Sequence, residues 1–368
     1  MSQKKLFRYL FYVCIWAVVG WGVVRAIQKS TEQLADQREQ LSQQATLMDQ
    51  QADQADATRS IPNDSSNRIS TSEIDSLRSK ANQLRQQSDQ FWKADWRYLC
   101  LAGLVYSLGM IPTARYWLLC LEAMGQQVPW RHSVWAYFYG NLGKYVPGKA
   151  MVVVLRVAEL SKFGTQKVAT TITIFMETLS TMAVGGAVAA ICVFLLDLDW
   201  RISLMSLGLL AATAIPTAPN LLRLILKKLQ PGIAEETLDQ WTQRLNWRLT
   251  FKGWGILCFT WLGYGLSLGC VLYGLPSTQW LAESASQFWL SVFAACALAV
   301  VVGFVSMMPG GAGVREVVLA TVLSPVVGPT AALSCAIWLR VTWLFAELVM
   351  AGLSYLLKNL GSSEPKTT

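Results

Sequence analysis

The sequence predicts an all-α, polytopic membrane helix bundle of about eight spans, with two broken or re-entrant segments and an extramembrane helical hairpin. Three observations predict it. Hydrophobic residues make up 53% of the 368 and come in runs, while charged residues supply only 15%; a soluble domain carries roughly 25% charge. Pro-Gly sequences interrupt the apolar pattern twice. One long polar, Gln-rich stretch, 28–95, differs in kind from everything else.

Runs of about 20 apolar residues suffice to cross a bilayer core. They fall at about 6–24, 96–119, 168–196, 202–219, 253–273, 288–308 and 331–357, with a shorter eighth helix near 314–327. The sixteen Trp mostly lie near span ends, where an amphipathic ring suits the interface. Lys4, Lys5 and Arg8 precede an apolar stretch that ends at Val24. Gly22-Val23-Val24-Arg25 offers no small-x-small cleavage site, so the first span is read as uncleaved, with its start in the cytoplasm.

The polar stretch carries two narrow helical seams. Leu34, Leu41 and Met48 are seven apart, and Ile74, Leu77, Ala81, Leu84 and Phe91 follow a 3-4-3-7 spacing. Between them, Ile61-Pro62-Asn63-Asp64-Ser65-Ser66-Asn67 is turn sequence. The expectation is an antiparallel coiled-coil-like hairpin with arms of about 25 residues, roughly 40 Å long. A disordered insert is the alternative, because the apolar content is low.

Basic residues set the orientation. Segment 121–167 holds Arg131, Lys144, Lys149, Arg156, Lys162 and Lys167, and segment 220–252 holds Arg223, Lys227, Lys228, Arg244, Arg248 and Lys252. The alternate loops are poor in Lys and Arg, so these two segments and both termini are expected in the cytoplasm and the hairpin outside. The net charge of +8 is thereby read as a topology signal, and no nucleic-acid partner is expected. The eight Cys lie in or beside apolar spans without a C-x-x-C pair and read as small buried hydrophobes. A single His, His132, leaves no room for a His-rich zinc site or a Ser-His-Asp triad. No metal or cofactor is expected.

The two breaks are the candidate functional segments. The first runs Tyr139-Gly140-Asn141-Leu142-Gly143-Lys144-Tyr145-Val146-Pro147-Gly148-Lys149, followed by apolar residues to Arg156 and Glu159. The second is Met308-Pro309-Gly310-Gly311-Ala312-Gly313-Val314-Arg315-Glu316. Pro-Gly cannot continue a helix, and the backbone groups it frees are tolerated at membrane depth only where protein or a watery cavity meets them. A helix restarting there points its positive N-terminus into that cavity, which suits phosphate or carboxylate. Paired broken elements in two halves point to a transport site; ordinary surface loops are the alternative. Glu177 lies inside a span, and Arg340 and Glu347 lie seven apart in the last one, on one face. Charges there are costly unless paired or hydrated, so they are either functional or structural ion pairs. Arg115 reads as an interface snorkeler.

Arg115-Tyr116-Trp117-Leu118-Leu119, Gly125, Tyr145-Val146-Pro147-Gly148, Arg156 and above all Pro309-Gly310-Gly311-Ala312-Gly313-Val314-Arg315-Glu316 resemble the transmembrane (flippase) domain of lysylphosphatidylglycerol synthase. Glu177 and Arg340 also fall where similar proteins carry charge. The resemblance covers about 96–357 and leaves out the insert. It implies lipid translocation; in full-length relatives a separate soluble domain attaches the aminoacyl group. The chain ends about eleven residues after its last span, so a stand-alone member without that synthase domain is expected. Similar chains often carry a polar or acidic residue before the Arg, where this one reads Met151-Val152-Val153-Val154.

The leading expectation is a multi-pass, flippase-like protein moving a polar or anionic phospholipid across the bacterial cytoplasmic membrane. The expected division is 1–27 first span, 28–95 extracytoplasmic hairpin, 96–360 flippase-like domain and 361–368 cytoplasmic tail. Headgroup contacts are assigned to Lys144, Pro147, Gly148, Lys149, Arg156, Pro309, Gly310, Gly311, Gly313, Arg315 and Arg340, with Glu177, Glu316 and Glu347 as supporting carboxylates. No residue is assigned a catalytic role and no nucleotide motif is present. Two rivals stay open. One is a membrane enzyme acting on lipid-linked substrates, with Glu177, Glu316 or Glu347 as acid or base. The other is a non-transporting scaffold that recruits a protein partner, or self-associates, through 28–95.

Overall fold

A computed structural model describes residues 39–40, 42–57, 71–90, 93–146, 150–197, 200–219, 244–276, 280, 282–306 and 308–360, with positions 221, 236 and 240. The expected first span 6–24, the turn at 61–67, Pro147–Lys149, most of the second basic segment and the tail 361–368 lie outside the described residues. Every regular element described is helical. In chain order these are α1 (42–57), α2 (Thr71–Gln90), α3 (Trp96–Ala123), α4 (Trp130–Asn141), α5 (Ala150–Leu160), α6 (Lys167–Leu195), α7 (Trp200–Ala214), α8 (Trp247–Tyr273), α9 (Ala285–Val305), α10 (Val314–Val327) and α11 (Pro329–Leu360).

Five of these, α3, α6, α8, α9 and α11, are long and apolar enough to cross a membrane. At 1.5 Å per residue they reach roughly 30–48 Å. Two expected spans fall short. The run at 202–219 gives α7, 15 residues closed by a 3-10 turn at Ile215–Thr217, and the run at 314–327 gives α10, 14 residues. Each reaches only about 20 Å.

α1 and α2 pack against each other in antiparallel register. Arg78 on α2 meets Asp53 and Asp56 on α1, and Arg85 meets Asp49. Leu34 and Leu41 lie outside the described residues; among those described, Ala45, Ala52, Ala55, Ile74 and Ala81 are buried. Met48 is half-buried. Small side chains bring two helices close, so the pair is held mainly by backbone proximity and exposed ion pairs worth little individually.

In the bundle α3 lies along α8, α6 contacts α7 and α9, and α9, α10 and α11 pack in sequence. Without a hydrophobic drive between helices in lipid, close approach carries the packing. Gly109 and Gly263 meet across α3 and α8, where a Cβ at Gly263 would stand 2.8 Å from the Gly109 Cα. Large side chains face outward at Leu104, Phe194, Phe259 and Phe345, as lipid contact requires.

Segment 121–167, which holds the first expected break, is largely helical. After the turn at Gly125 it folds into α4 and α5, which pack on each other as a half-length hairpin. Trp135 to Gly140 are buried there, and α4 also packs on α11. The second break gives a matching hairpin, α9 and α10. Its tip is a 3-10 turn at Pro309–Gly311, with positive φ at Gly310, Gly311 and Gly313, the conformation that glycine adopts freely.

Candidate functional site

The two hairpin tips meet. α4 ends in a 3-10 turn at Leu142–Tyr145, and this turn packs on the Pro309–Gly311 turn. A Cβ on Gly310 would lie 3.2 Å from the Tyr145 ring, so the bare backbone at Gly310 is what lets the tips close on each other. Beside them opens a cleft lined by Lys144, Tyr145, Gly310, Arg315, Glu316, Arg340, Trp343 and Glu347 over an apolar floor that includes Ala299 and Leu339.

The charges in this cleft pair across elements. Glu347, almost fully buried on α11, accepts from the Lys144 ammonium and from the hydroxyls of Tyr106 on α3 and Tyr145, the last at 3.0 Å. Glu316 on α10 binds the Arg340 guanidinium of α11 through one oxygen. Its other oxygen accepts the Gly313 N–H at 2.7 Å. Arg315 has a different status. It lines the cleft and makes no ion pair among the described residues. Its stem slots between two glycines: a Cβ on Gly303 would stand 2.6 Å from its Cγ, and one on Gly311 2.7 Å from its Nε. The Nε of Arg315 and Nη2 of Arg340 are buried without a partner among the described residues.

At the second break the N-terminus of α10 is shared with a carboxylate of the chain itself: Glu316 at N3 reaches back and accepts the Gly313 N–H.

A second charged cluster sits apart from the cleft. Arg156 on α5 is 1% exposed and pairs with Glu177 on α6 at 2.9 Å, with Asn141 Oδ1 at 3.2 Å. Its guanidinium lies over the rings of Trp117 and Tyr137. Any Cβ on Gly140 would collide with the Arg156 stem. Arg156 and Glu177 therefore tie α5 to α4 and α6 and do not face the cleft. Lower on α11, Lys358 reaches Glu159 at 3.2 Å, which ties α5 to α11 as well.

The structure thus brings together Lys144, Gly310, Arg315, Glu316, Arg340 and Glu347 of the assigned residues. Gly311 stands behind Arg315, Gly313 caps α10, and Pro309 opens the turn. Arg156 and Glu177 lie elsewhere, and Pro147, Gly148 and Lys149 fall outside the described residues. Sequence reasoning missed Tyr145 and Trp343, which line the cleft, and Tyr106, which donates to Glu347 from α3. Tyr145 stood inside a quoted motif. Tyr106 carried one general signal, a hydroxyl at mid-span that must find a partner. Trp343 carried none; it stacks on Tyr106 with centroids 4.3 Å apart.

A family model described as the lysylphosphatidylglycerol synthase TM region matches residues 82–351, well over half of the chain. The chain belongs to this family. The match takes in both hairpins and all five long apolar helices up to residue 351, so the paired breaks and the cleft lie inside the family region. No curated protein sequence matches the chain. The resemblance drawn from the Pro-Gly motifs and the family match agree, and the fold is that of a polytopic helical membrane protein.

Proposed function

We propose that this protein translocates a phospholipid across the bacterial cytoplasmic membrane, holding the headgroup phosphate in the cleft between the two hairpin tips. The observation that carries the reading is the charge balance of the cleft. Lys144, Arg315 and Arg340 face two carboxylates, each already engaged, so Arg315 is left as a guanidinium without a counter-ion among the described residues. A charge of this kind within a membrane is costly unless it serves a ligand or a pathway. An anion is what it lacks, and a lipid phosphate is the anion that a bilayer supplies. The family description, a membrane region belonging to a lipid-modifying synthase, supports the same substrate class.

In this reading Arg315 takes the phosphate by charge-assisted hydrogen bonds. Arg340 and Lys144 also line the cleft and would add donors. The apolar floor and outward-facing helices leave the acyl chains in lipid. Movement of the headgroup past the tips would need the two hairpins to part. The Lys144–Glu347 bond joins the first hairpin to α11 beside the site, so phosphate competing for Lys144 would loosen that joint as it binds. Residues 28–95 would lie outside the membrane, and the basic segments 121–167 and 220–252 on the cytoplasmic side.

The test is reconstitution of the full chain into vesicles carrying labelled phospholipids. Label should become accessible from the opposite leaflet faster than in protein-free vesicles, and Arg315→Gln should return the rate to the protein-free level. Equal rates for wild type and protein-free vesicles across a panel of lipids would contradict the reading.

A further inference from the structure

We infer that the cleft takes up a proton as the lipid binds: Glu347 is ionised while Lys144 holds it, and becomes protonated once Lys144 turns to the phosphate. The inference rests on the proposed lipid reading and deepens it by naming what the same site exchanges with water. Glu347 is 1% exposed. Its one cation among the described residues is the Lys144 ammonium on Oε1, while the Tyr145 hydroxyl donates to Oε2 at 3.0 Å. Lys144 and Tyr145 are neighbours on the Leu142–Tyr145 turn at the tip of the first hairpin. A motion of the tip that withdraws one withdraws the other.

The donor that stays is Tyr106 of α3, held by its stack on Trp343 with centroids 4.3 Å apart. Its hydroxyl is neutral, as is that of Tyr264 on α8, whose ring lies 5.0 Å from the Tyr106 ring. The other titratable or charged groups around the cleft are Cys296 on α9, Arg315 and Glu316 on α10, and Arg340 on α11 itself. Arg340 is held by Glu316, and the Arg315 stem is slotted between Gly303 and Gly311. A buried carboxylate left without a cation neutralises rather than stay charged, which is why carboxylates inside membrane bundles serve as proton relays. The proton comes from water at the parted tips, bonds to a Glu347 oxygen as the Lys144 N–H···O bond breaks, and returns to water when the tips close. Glu316 differs. Its partners are Arg340 and the Gly313 N–H, neither on the first hairpin, and Arg340 keeps Nη2 without a partner among the described residues. Arg340 can meet a phosphate without releasing Glu316, so one carboxylate is exchanged and one proton is taken up. The lipid-bound state then holds the extra proton, and binding strengthens as pH falls, by up to about tenfold per pH unit.

The test is calorimetry on the full chain in neutral detergent, with dioctanoyl-phosphatidylglycerol as the probe, in buffers of different ionisation heat. The phosphate diester of this lipid does not titrate near neutrality, so a proton exchanged belongs to the protein. The expected result is net uptake approaching one proton per lipid, tighter binding at lower pH, and no uptake in Glu347→Gln. If Glu347→Gln fails to fold or to bind, Lys144→Gln replaces it: there Glu347 lacks its cation before the lipid arrives, so binding should exchange no proton. If both fail, the wild-type proton count alone decides. Saturable binding with no proton taken up by the wild type overturns the inference and leaves the lipid reading standing. Uptake that persists in either variant also overturns it, since another group then carries the proton. Dimethyl phosphate, a water-soluble diester, binding as tightly as the lipid makes the ligand a soluble anion and overturns the lipid reading. No saturable binding of either probe overturns both.

Discussion

Three arginines that look alike in sequence fall into two situations in the fold. Arg156 and Arg340 each sit opposite a glutamate on a neighbouring helix, at 1% and 14% side-chain exposure, whereas Arg315 sits opposite none among the described residues. Breaking a buried pair by removing one partner costs about 3–5 kcal/mol, because the other charge is left buried. Arg340→Gln should therefore lower stability by that order, and the double variant Glu316→Gln/Arg340→Gln should recover part of it; thermal unfolding in detergent checks both. Arg315→Gln strands no carboxylate, so its stability should change by less than about 1 kcal/mol while translocation is lost. Gly303→Ala adds a methyl that meets the Arg315 stem at 2.6 Å. It should impair translocation by displacing Arg315, at a net stability cost of no more than about 1–3 kcal/mol for the overpacking, part of it offset by alanine's preference of roughly 0.5–1 kcal/mol for a helix interior. The residue types at the site were legible in the sequence, because charges at membrane depth stand out. Their pairing was not: Glu316 with Arg340 and Glu347 with Lys144 depend on which helices become neighbours.

At the scale of elements, the Pro-Gly breaks marked both hairpins and the helix restarting after each, but the helix before the first was not foreseen. α4, with Arg131, His132 and Asn141 among its aromatics, is 12 residues long, and a window sized for a full crossing averages such a helix away. α7, at 15 residues, is shorter than the run 202–219 suggested, and α10, at 14, is the short helix expected near 314–327. The shared Pro-Gly, Arg and Glu pattern has a structural counterpart. In the first hairpin the Arg of α5 pairs with the Glu of the following helix, and in the second the Glu of α10 pairs with the Arg of the following helix. Each pair ties a half-length helix to a long one beside it. The α1–α2 pair was foreseen as a hairpin, though its seam uses Ala45, Ala52 and Ala55, which a search for large apolar residues underweights. Hydrogen exchange should show 42–57 and 71–90 protected. Deleting 28–95 should leave measurable translocation; complete loss with normal insertion would favour the scaffold reading instead.

For the whole molecule the account makes one topological and one central claim. The topology places 28–95 outside and the basic segments inside. Membrane-impermeant thiol reagents added from outside should label Asp64→Cys and spare Glu235→Cys, and the reverse pattern would overturn the orientation. The central claim is that a lipid headgroup occupies the cleft where the two tips meet. The most direct measurement is photo-crosslinking with phosphatidylglycerol that carries a diazirine beside its phosphate, followed by peptide mass spectrometry on the full chain in nanodiscs. The account predicts label concentrated in peptides containing Tyr145, Arg315 and Trp343, and its loss in Arg315→Gln. Label spread over the outward faces of α3, α7 and α8, unaffected by Arg315→Gln, would contradict it.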